Sequence, residues 1–148
     1  MFQICRTDEI AIHLLDAARS EGLLATIQTW GIAILAHCCV PAQQGALALV
    51  VTDKPELAKA GLERAGLPCK TGPVVLVRTH PHPVIAAQLG MRLTAAQIGI
   101  CYCYTSWLDA PEMHVVFKTT DDDQAMRVLR ACAASQNQDE EFQLLEPN

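Results

Sequence analysis

Apolar and polar residues follow two different periods at the start of the chain. From Phe2 to Arg6 the apolar residues alternate with polar ones, which is typical of a half-buried strand. Asp8 is a suitable helix N-cap, and apolar residues recur at helical spacing from Ile10 to Ser20 before Gly22. The pattern therefore predicts a strand over 2–6 followed by a helix over 10–20.

Two β-type runs and a second helix complete the first half of the chain. The runs 26–40 and 46–52 are separated by a Gly-containing segment, 41–45, which predicts a hairpin. The sequence from Asp53 to Glu56 is typical of a capping box with an early proline. It predicts a helix that ends at Gly66.

The same order of elements then begins again. An apolar strand is predicted over 73–78, and a proline-containing turn leads into helical spacing from Val84 to Ala96. Strands are predicted over 98–107 and 113–118, and a helix opens at 120–123. A polar segment over 135–141 precedes a short candidate strand at 142–145.

This recurrence is a repeat that can be checked position by position. Four pairs share one constant offset: Asp53 and Thr120, Glu56 and Asp123, Ala58 and Ala125, Leu62 and Leu129. The strand residues 4–7 match 76–79 at a larger offset, which predicts a few extra residues in the first copy. We therefore predict an α+β fold of two ferredoxin-like βαββαβ units with antiparallel sheets, spanning 1–71 and 72–148.

Composition and charge limit which partners and which location are expected for the protein. The 148 residues are 51% hydrophobic, enough to build a core, and the net charge is −5 with no cluster of Lys and Arg. Nucleic acid and membrane surfaces are therefore not expected as partners. The N-terminus has no signal-peptide pattern, so a cytoplasmic location is expected.

The seven cysteines and the pair His80 and His82 are the candidates for thiol or metal chemistry. An odd cysteine count without an export signal predicts reduced thiols and no disulfide framework. His80 and His82 are candidate metal ligands, but the chain has no pair of knuckle turns typical of zinc, so no metal and no cofactor are predicted. No nucleophile with an adjacent base and no phosphate loop is present, so the chain is not expected to be an enzyme.

The stretch from Val74 to Ala86, with Ala96–Ile100 after it, resembles the opening strand, helix and second strand of an ACT domain. The first half is similar to a more divergent copy, so the chain resembles a free-standing tandem ACT protein. The resemblance implies a regulatory protein that binds an amino acid or related metabolite between its two units. Exposed sheet edges and an apolar strand surface favour further pairing into a homodimer. His82 and Pro83 stand where the ACT motif has proline and glycine.

The resemblance implies two candidate ligand sites, each at a helix N-terminus beside a strand start, where amide groups can receive a carboxylate. The first combines Thr79, His80, His82 and Val84 with Gly31 and Ile32, and the second combines Thr7, Asp8 and Ile10 with Gly99 and Ile100. Two alternatives remain open. The chain is a structural or interaction module whose site has been lost, consistent with Pro83 in place of glycine, or a metal-binding protein or enzyme that uses the loop of His80 and His82.

Overall fold

The computed structural model describes residues 2–107 and 111–143, with the last eight of these described by their backbone only. Within that range the chain has an α+β fold with antiparallel strands. The elements are β1 (Gln3–Leu14), a 3₁₀ turn (Ala17–Arg19), α1 (Ser20–Thr29), β2 (Ile34–Pro41), β3 (Ala46–Thr52), α2 (Pro55–Arg64), β4 (Cys69–Thr79), α3 (Ile85–Ala95), β5 (Ile100–Ser106), β6 (Met113–Thr119) and α4 (Asp122–Gln143). None of the described helices has the length and apolar character needed to cross a membrane.

The chain divides into two compact units, and the division falls inside strands. The first unit contains residues 7–74, and the second contains residues 2–6 together with the described chain from Val75 onward. Relative to the expected division at 71/72, the first six residues are grouped with the C-terminal half. Strands β1 and β4 therefore each contribute residues to both units.

In the first unit, two helices cover one face of a sheet with the strand order β2-β3-β1-β4. Ile10 is paired with Val50 and Ile12 with Ala48, so these side chains share one face. All four are buried in a core that α1 and α2 complete. The helical contribution comes from Leu23, Ile27, Ala58 and Leu62.

The second unit repeats this arrangement with the strand order β1-β4-β6-β5. Val75 is paired with Phe117 and Val77 with Val115, and all four are buried. The helical contribution comes from Ile85, Leu89, Leu93, Ala125 and Leu129. Phe2 and Ile4 pack against this core from the beginning of the chain.

An ion pair also ties the beginning of the chain to the second unit. The guanidinium of Arg6 lies 3.8 Å from a carboxylate oxygen of Asp122 and 3.7 Å from one of Asp123. Both aspartates belong to the first turn of α4, where their negative charge also interacts favourably with the positive end of the helix dipole. Residues 2–6 thus belong structurally to the second unit.

The prediction of a helix over 10–20 is wrong, because this stretch begins in strand β1. Ile10 and Leu14 are four residues apart, a spacing that satisfies both the helical period and the strand period. Ile12 is also fully buried, which only a strand allows with Ile10 and Leu14 on the same face. Residues 10–14 are therefore the strand equivalent to residues 75–79 of β4. With this match in place of 4–7 with 76–79, the first copy needs no extra residues.

The β-type interpretation of residues 26–40 is wrong in its first part, since α1 extends to Thr29. Three β-branched residues, Thr26, Ile27 and Thr29, produce the β-like composition. Both hydroxyls donate within the helix, Thr26 Oγ1 to Gly22 O at 2.8 Å and Thr29 Oγ1 to Thr26 O at 2.6 Å. The buried pair Leu23 and Ile27 provides the helical spacing that outweighs this composition.

The closing strand predicted at 142–145 is replaced in its first part by helix. Helix α4 extends to Gln143, so residues 142 and 143 are helical, and 144–145 lie outside the described residues. The segment before them is rich in Ala, Gln and Glu, which have high helix propensity. The polar segment 135–141 is therefore part of helix α4.

Ile4→Ala tests whether the start of the chain stabilises the second unit. We expect a loss of roughly 1–3 kcal/mol, the lower end of the range for large-to-small changes because Ile4 is only half-buried. Hydrogen exchange should accelerate for amides of residues 75–135 more than for residues 7–74. Cys69→Ala is the matched control, since Cys69 packs against the first core in the same way and should show the reverse pattern. Greater loss of protection in residues 7–74 for Ile4→Ala would contradict the assignment.

Candidate functional site

A small polar cleft lies where β4 of the second unit ends. It is lined by Gln3, Arg78, Thr79, His80 and Glu112, and its volume is about 210 Å³. Three separate parts of the chain supply these side chains: the start of β1, the end of β4 and the residue before β6. The fold therefore assembles the cleft from residues distant in sequence.

An ion pair between Arg78 and Glu112 is the main electrostatic feature of the cleft. Nε and Nη2 of Arg78 each lie 2.5 Å from Oε2 of Glu112, and Nη1 donates to Oε1 of Gln3 at 3.4 Å. Both charged side chains are accessible, at 46% and 38% exposure. An accessible pair contributes little to stability, so either charge can exchange its partner for a ligand at low cost.

His114 lies beside this ion pair on the same sheet. It is paired with Arg78 of β4 on one side and with Ser106 of β5 on the other. Partial burial lowers the pKa of His114, the nearby Arg78 guanidinium lowers it further, and Glu112 opposes the shift. This shift favours the neutral imidazole of His114 at pH 7.

His114→Gln should remove part of the pH dependence of stability. A histidine with a folded pKa below its unfolded value of 6.5 stabilises the fold while neutral. That contribution is present above pH 6.5 and is lost as the pH falls through the folded pKa. Urea midpoints of the wild type should therefore drop more steeply below pH 6.5 than those of His114→Gln. His13→Gln, at an exposed position, is the control, and identical pH profiles for His114→Gln and the wild type would contradict the prediction.

Of the four residues of the β4–α3 turn that were predicted for the first site, two line the cleft and two do not. Thr79, which is buried, and His80, which is exposed, line the cleft. His82 instead supports the turn before α3, because its Nδ1 accepts a hydrogen bond of 3.4 Å from the Val84 amide. The Val84 side chain is 46% exposed. The cleft thus includes two of these four residues.

Gly31 and Ile32, predicted for the same site, lie in the first unit between α1 and β2. Gly31 has a φ of +73°, and its carbonyl oxygen accepts a hydrogen bond of 3.4 Å from Nζ of Lys54. Ile32 is buried in the core of the first unit. Their location is the end of a helix, which leaves carbonyl groups rather than amides available.

Thr7, Asp8 and Ile10 were predicted to lie at a helix start, and this premise is wrong because all three lie within β1. Ile10 is fully buried in the first core. These residues therefore offer no helix N-terminal amides to a ligand.

Gly99 and Ile100, the other members of the second predicted site, have structural contacts within the second unit. The Gly99 amide donates to Oγ1 of Thr120 at 3.0 Å, and its carbonyl accepts from the Thr120 amide at 2.9 Å. Ile100 packs against the second core. In the first unit Asp53 and Ala33 exchange the equivalent pair of bonds, so the predicted capping box of Asp53 acts on Ala33 instead of its own helix.

The first unit has no equivalent of the polar cleft among its described residues. Leu14 has the register position of Thr79, since Leu14 is paired with Ala46 and Thr79 with Met113. Leu14 is buried and Leu15, which follows it, is 71% exposed. Apolar side chains therefore stand where the second unit has Thr79 and His80.

Sequence reasoning did not select Arg78, Glu112 or Gln3. Arg78 directly precedes the predicted residues Thr79 and His80, so its charge beside a candidate site was the available signal. Glu112 and Gln3 come from distant segments, and no short-range pattern connects them with β4. Among the described residues, no group of three or more His, Cys, Asp or Glu side chains is arranged to hold a metal ion.

No protein-family model matches the chain, and no curated protein matches it in sequence. Solved structures do match. Protein BT0572 from Bacteroides thetaiotaomicron has a TM-score of 0.73 and 18% identity over 88% of this chain and 90% of its own. The regulatory subunit of aspartate kinase from Thermus thermophilus, in a ligand-free form, has a TM-score of 0.59 and 14% identity over 88% and 95% of the two chains. The corresponding subunit from Thermus flavus has a TM-score of 0.57 and 16% identity over 88% of this chain and 92% of its own. The chain therefore has the fold of these proteins, among them regulatory subunits of an enzyme.

Proposed function

We propose that this chain is a non-catalytic regulatory protein that binds a small zwitterion of the amino-acid class in the polar cleft of its second unit. The observation that carries the proposal is the accessible pair of Arg78 and Glu112 in a cleft of about 210 Å³. The ACT-like stretch from Val74 to Ala86 and the fold shared with regulatory subunits of aspartate kinase support a regulatory role.

Charge and size favour this ligand class. The Arg78 guanidinium can receive a carboxylate in a planar, two-pronged geometry. Glu112, released from Arg78, is then available to a ligand ammonium group. The cleft is smaller than the 300–1,000 Å³ typical of sites for drug-sized molecules, so a metabolite of a few heavy atoms fits better than a nucleotide.

Gln3, Thr79 and His80 complete the recognition of the ligand. They offer an amide, a hydroxyl and an imidazole, each able to donate and accept hydrogen bonds. Because Gln3 and Arg78 belong to different strands, a ligand held by both favours the arrangement of β1 and β4 that it binds best. Regulation then consists of a shift in population toward that arrangement.

Two finer expectations stay predictions. The sequence resemblance implies a ligand between the two units, involving Gly31, Ile32, Gly99 and Ile100, within a tandem βαββαβ layout. A cytoplasmic location is likewise expected only from the absence of a signal-peptide pattern. Neither expectation is needed for binding in the cleft of the second unit.

Thermal-shift screening against the proteinogenic amino acids at millimolar concentration tests the proposal. A ligand at ten times its Kd stabilises the folded state by about 1.4 kcal/mol, which raises the Tm by roughly 3–5 °C for a chain of this size. Arg78→Gln should abolish the shift. Arg64→Gln, in the first unit, is the matched control and should retain it. If none of the amino acids shifts the wild type, or if Arg78→Gln keeps the full shift, the proposal is wrong and the alternative of a module without a ligand is favoured.

A further inference from the structure

A second cavity of the molecule is a groove in the first unit, between the end of α1 and helix α2. Its volume is about 540 Å³, within the range typical of sites for small molecules. The described residues that line it are Trp30, Ile32, Leu57, Gly61, Arg64 and Ala65. All six belong to the first unit, so the groove is separate from the polar cleft of the second unit.

The indole of Trp30 forms one wall of this groove and lies directly against α2. A Cβ atom at Gly61 would lie 2.6, 2.7 and 2.9 Å from three atoms of the indole ring, so only glycine admits the ring at this distance. Glycine lowers the stability of a helix relative to alanine, and here it makes room for the indole. Trp30 nevertheless remains 38% exposed. An aromatic surface is thus held in place and is accessible to a ligand.

The other lining residues add apolar surface to the groove. Leu57 is 58% exposed, whereas Ile32 is buried in the core of the first unit. The exposed parts of Trp30 and Leu57 are apolar area that a ligand can remove from water. The groove therefore favours a ligand with an apolar body.

Arg64 is the one charged residue among the described residues that line the groove. Its Nε donates to the carbonyl oxygen of Ala60 at 3.4 Å, which leaves the donors on Nη1 and Nη2 for a ligand. Within the described part of the chain, no carboxylate forms an ion pair with Arg64. At 3.6 residues per turn, Glu56 and Glu63 lie about 140° and 160° around α2 from Gly61. The acidic side chains of this helix therefore point away from the groove.

Two helix C-termini lie near the groove, and each carries a partial negative charge of roughly half an elementary charge. Together they amount to about one negative charge. The Lys54 ammonium group donates to the carbonyl oxygen of Gly31, just after α1, at 3.4 Å, and Arg64 belongs to the last turn of α2. These two cations outweigh the two helix ends, so the groove attracts an anionic group.

We infer that this groove binds a small carboxylate with a flat apolar body. The body stacks on the indole of Trp30 and covers Leu57, and the carboxylate accepts hydrogen bonds from Nη1 and Nη2 of Arg64. An α-ammonium group, which the polar cleft is proposed to bind, is disfavoured here because it would approach Arg64 and Lys54. The two sites therefore take different ligands, and either can fail in experiment without the other.

The fluorescence of Trp30 tests the inference directly. The chain has two tryptophans, and Trp107 is 61% exposed, so Trp107→Phe should fold normally and leaves Trp30 as the reporter. In this variant, millimolar 3-phenylpropionate should change the Trp30 emission in a saturable way. The neutral 3-phenylpropionamide should bind at least about tenfold more weakly, because it lacks the charge that strengthens bonds to a guanidinium. No saturable change with the carboxylate, or equal affinities for the two probes, would overturn the inference.

Arg64→Gln in the same background tests the role of the charge. It should weaken binding of the carboxylate at least about tenfold and remove the preference over the amide, an effect that a purely structural role of Arg64 would not produce. Arg19→Gln is the matched control, since Arg19 is an exposed cation of the same unit that pairs with Asp16, and it should keep both affinities. Arg78→Gln should also keep them. A preference for the carboxylate that persists in Arg64→Gln, or its loss in Arg78→Gln, would place the site elsewhere.

Gly61→Ala and Leu57→Ala test the apolar walls. The methyl group added at Gly61 must displace the indole, so the emission of the free protein should change and both probes should bind more weakly. Leu57→Ala removes an exposed side chain and leaves the fold intact, which circular dichroism verifies. It should weaken both probes about threefold while the preference for the carboxylate remains. Unchanged affinity of both probes in folded Leu57→Ala would contradict binding in this groove.

Discussion

Replacing Phe117 by alanine is expected to destabilise the protein by about 3–5 kcal/mol, the range for deleting a fully buried aromatic side chain. Phe117 is the largest fully buried side chain among the described residues and lies in β6, paired with Val75. Removing its ring leaves a cavity in a core bounded by α3 and α4. Urea unfolding followed by circular dichroism measures the change.

Val50→Ala is the matched control, because Val50 has the same register position in the first unit, opposite Ile10. It is also fully buried but loses a smaller volume, so a cost of roughly 2 kcal/mol is expected. If Phe117→Ala cost less than Val50→Ala, Phe117 would not be the central residue of the second core.

Gly45→Ala is expected to be the second most damaging change, with a cost of about 2–4 kcal/mol. Gly45 has a φ of +83° in the turn between β2 and β3, a conformation that costs other L-residues about 1–2 kcal/mol. A Cβ atom there would also lie 2.0 Å from the carbonyl oxygen of Leu14 and 2.7 Å from that of Leu15. Backbone must move to relieve this overlap, which adds a cost of about 1–3 kcal/mol.

Gly66→Ala separates the two causes. Gly66 has a φ of +78°, but a Cβ atom there would meet nothing within 4 Å. Its cost should be about 1–2 kcal/mol, from the backbone conformation alone. Equal losses of stability for the two variants, measured by urea unfolding, would show that the contact with Leu14 and Leu15 does not constrain Gly45.

The sequence predicted the elements of the second unit well because its periods are unambiguous there. The helix expected over 84–96 and the strand expected over 113–118 agree with α3 and β6 within about two residues. In the first unit, Ile10 and Leu14 fit a helix and a strand equally, and the polar residues before them imitate a helix cap. The burial of Ile12 in the folded protein distinguishes a strand from a helix here. The periodicity of a short window does not contain that information.

The likeness between the two halves could be detected from sequence, but the grouping of residues 2–6 with the second unit could not. The constant offset of Asp53 with Thr120 and Leu62 with Leu129 is a local property of each copy. Assignment of Phe2 and Ile4 to the second core depends on contacts with residues more than seventy positions away. No propensity or cap residue at the start of the chain encodes which sheet those residues join.

The candidate site was predicted only in part, for a similar reason. Thr79 and His80 were found because they follow a strand that resembles the opening of an ACT domain. The charged pair that defines the cleft joins β4 to the residue before β6, and only the antiparallel register of these two strands brings Arg78 and Glu112 together. A charged residue adjacent to a predicted site is thus worth including among the candidates.

Isothermal titration with the amino acid that gives the largest thermal shift measures directly whether the cleft of Arg78 and Glu112 binds the ligand. Because the first unit presents Leu14 and Leu15 where the second presents Thr79 and His80, we expect one ligand per chain. We also expect Arg78→Gln to weaken binding at least tenfold, the loss of about 1.4 kcal/mol or more expected for one charge-assisted hydrogen bond. Two ligands per chain, or an affinity unchanged by Arg78→Gln, would show that this cleft is not the binding site.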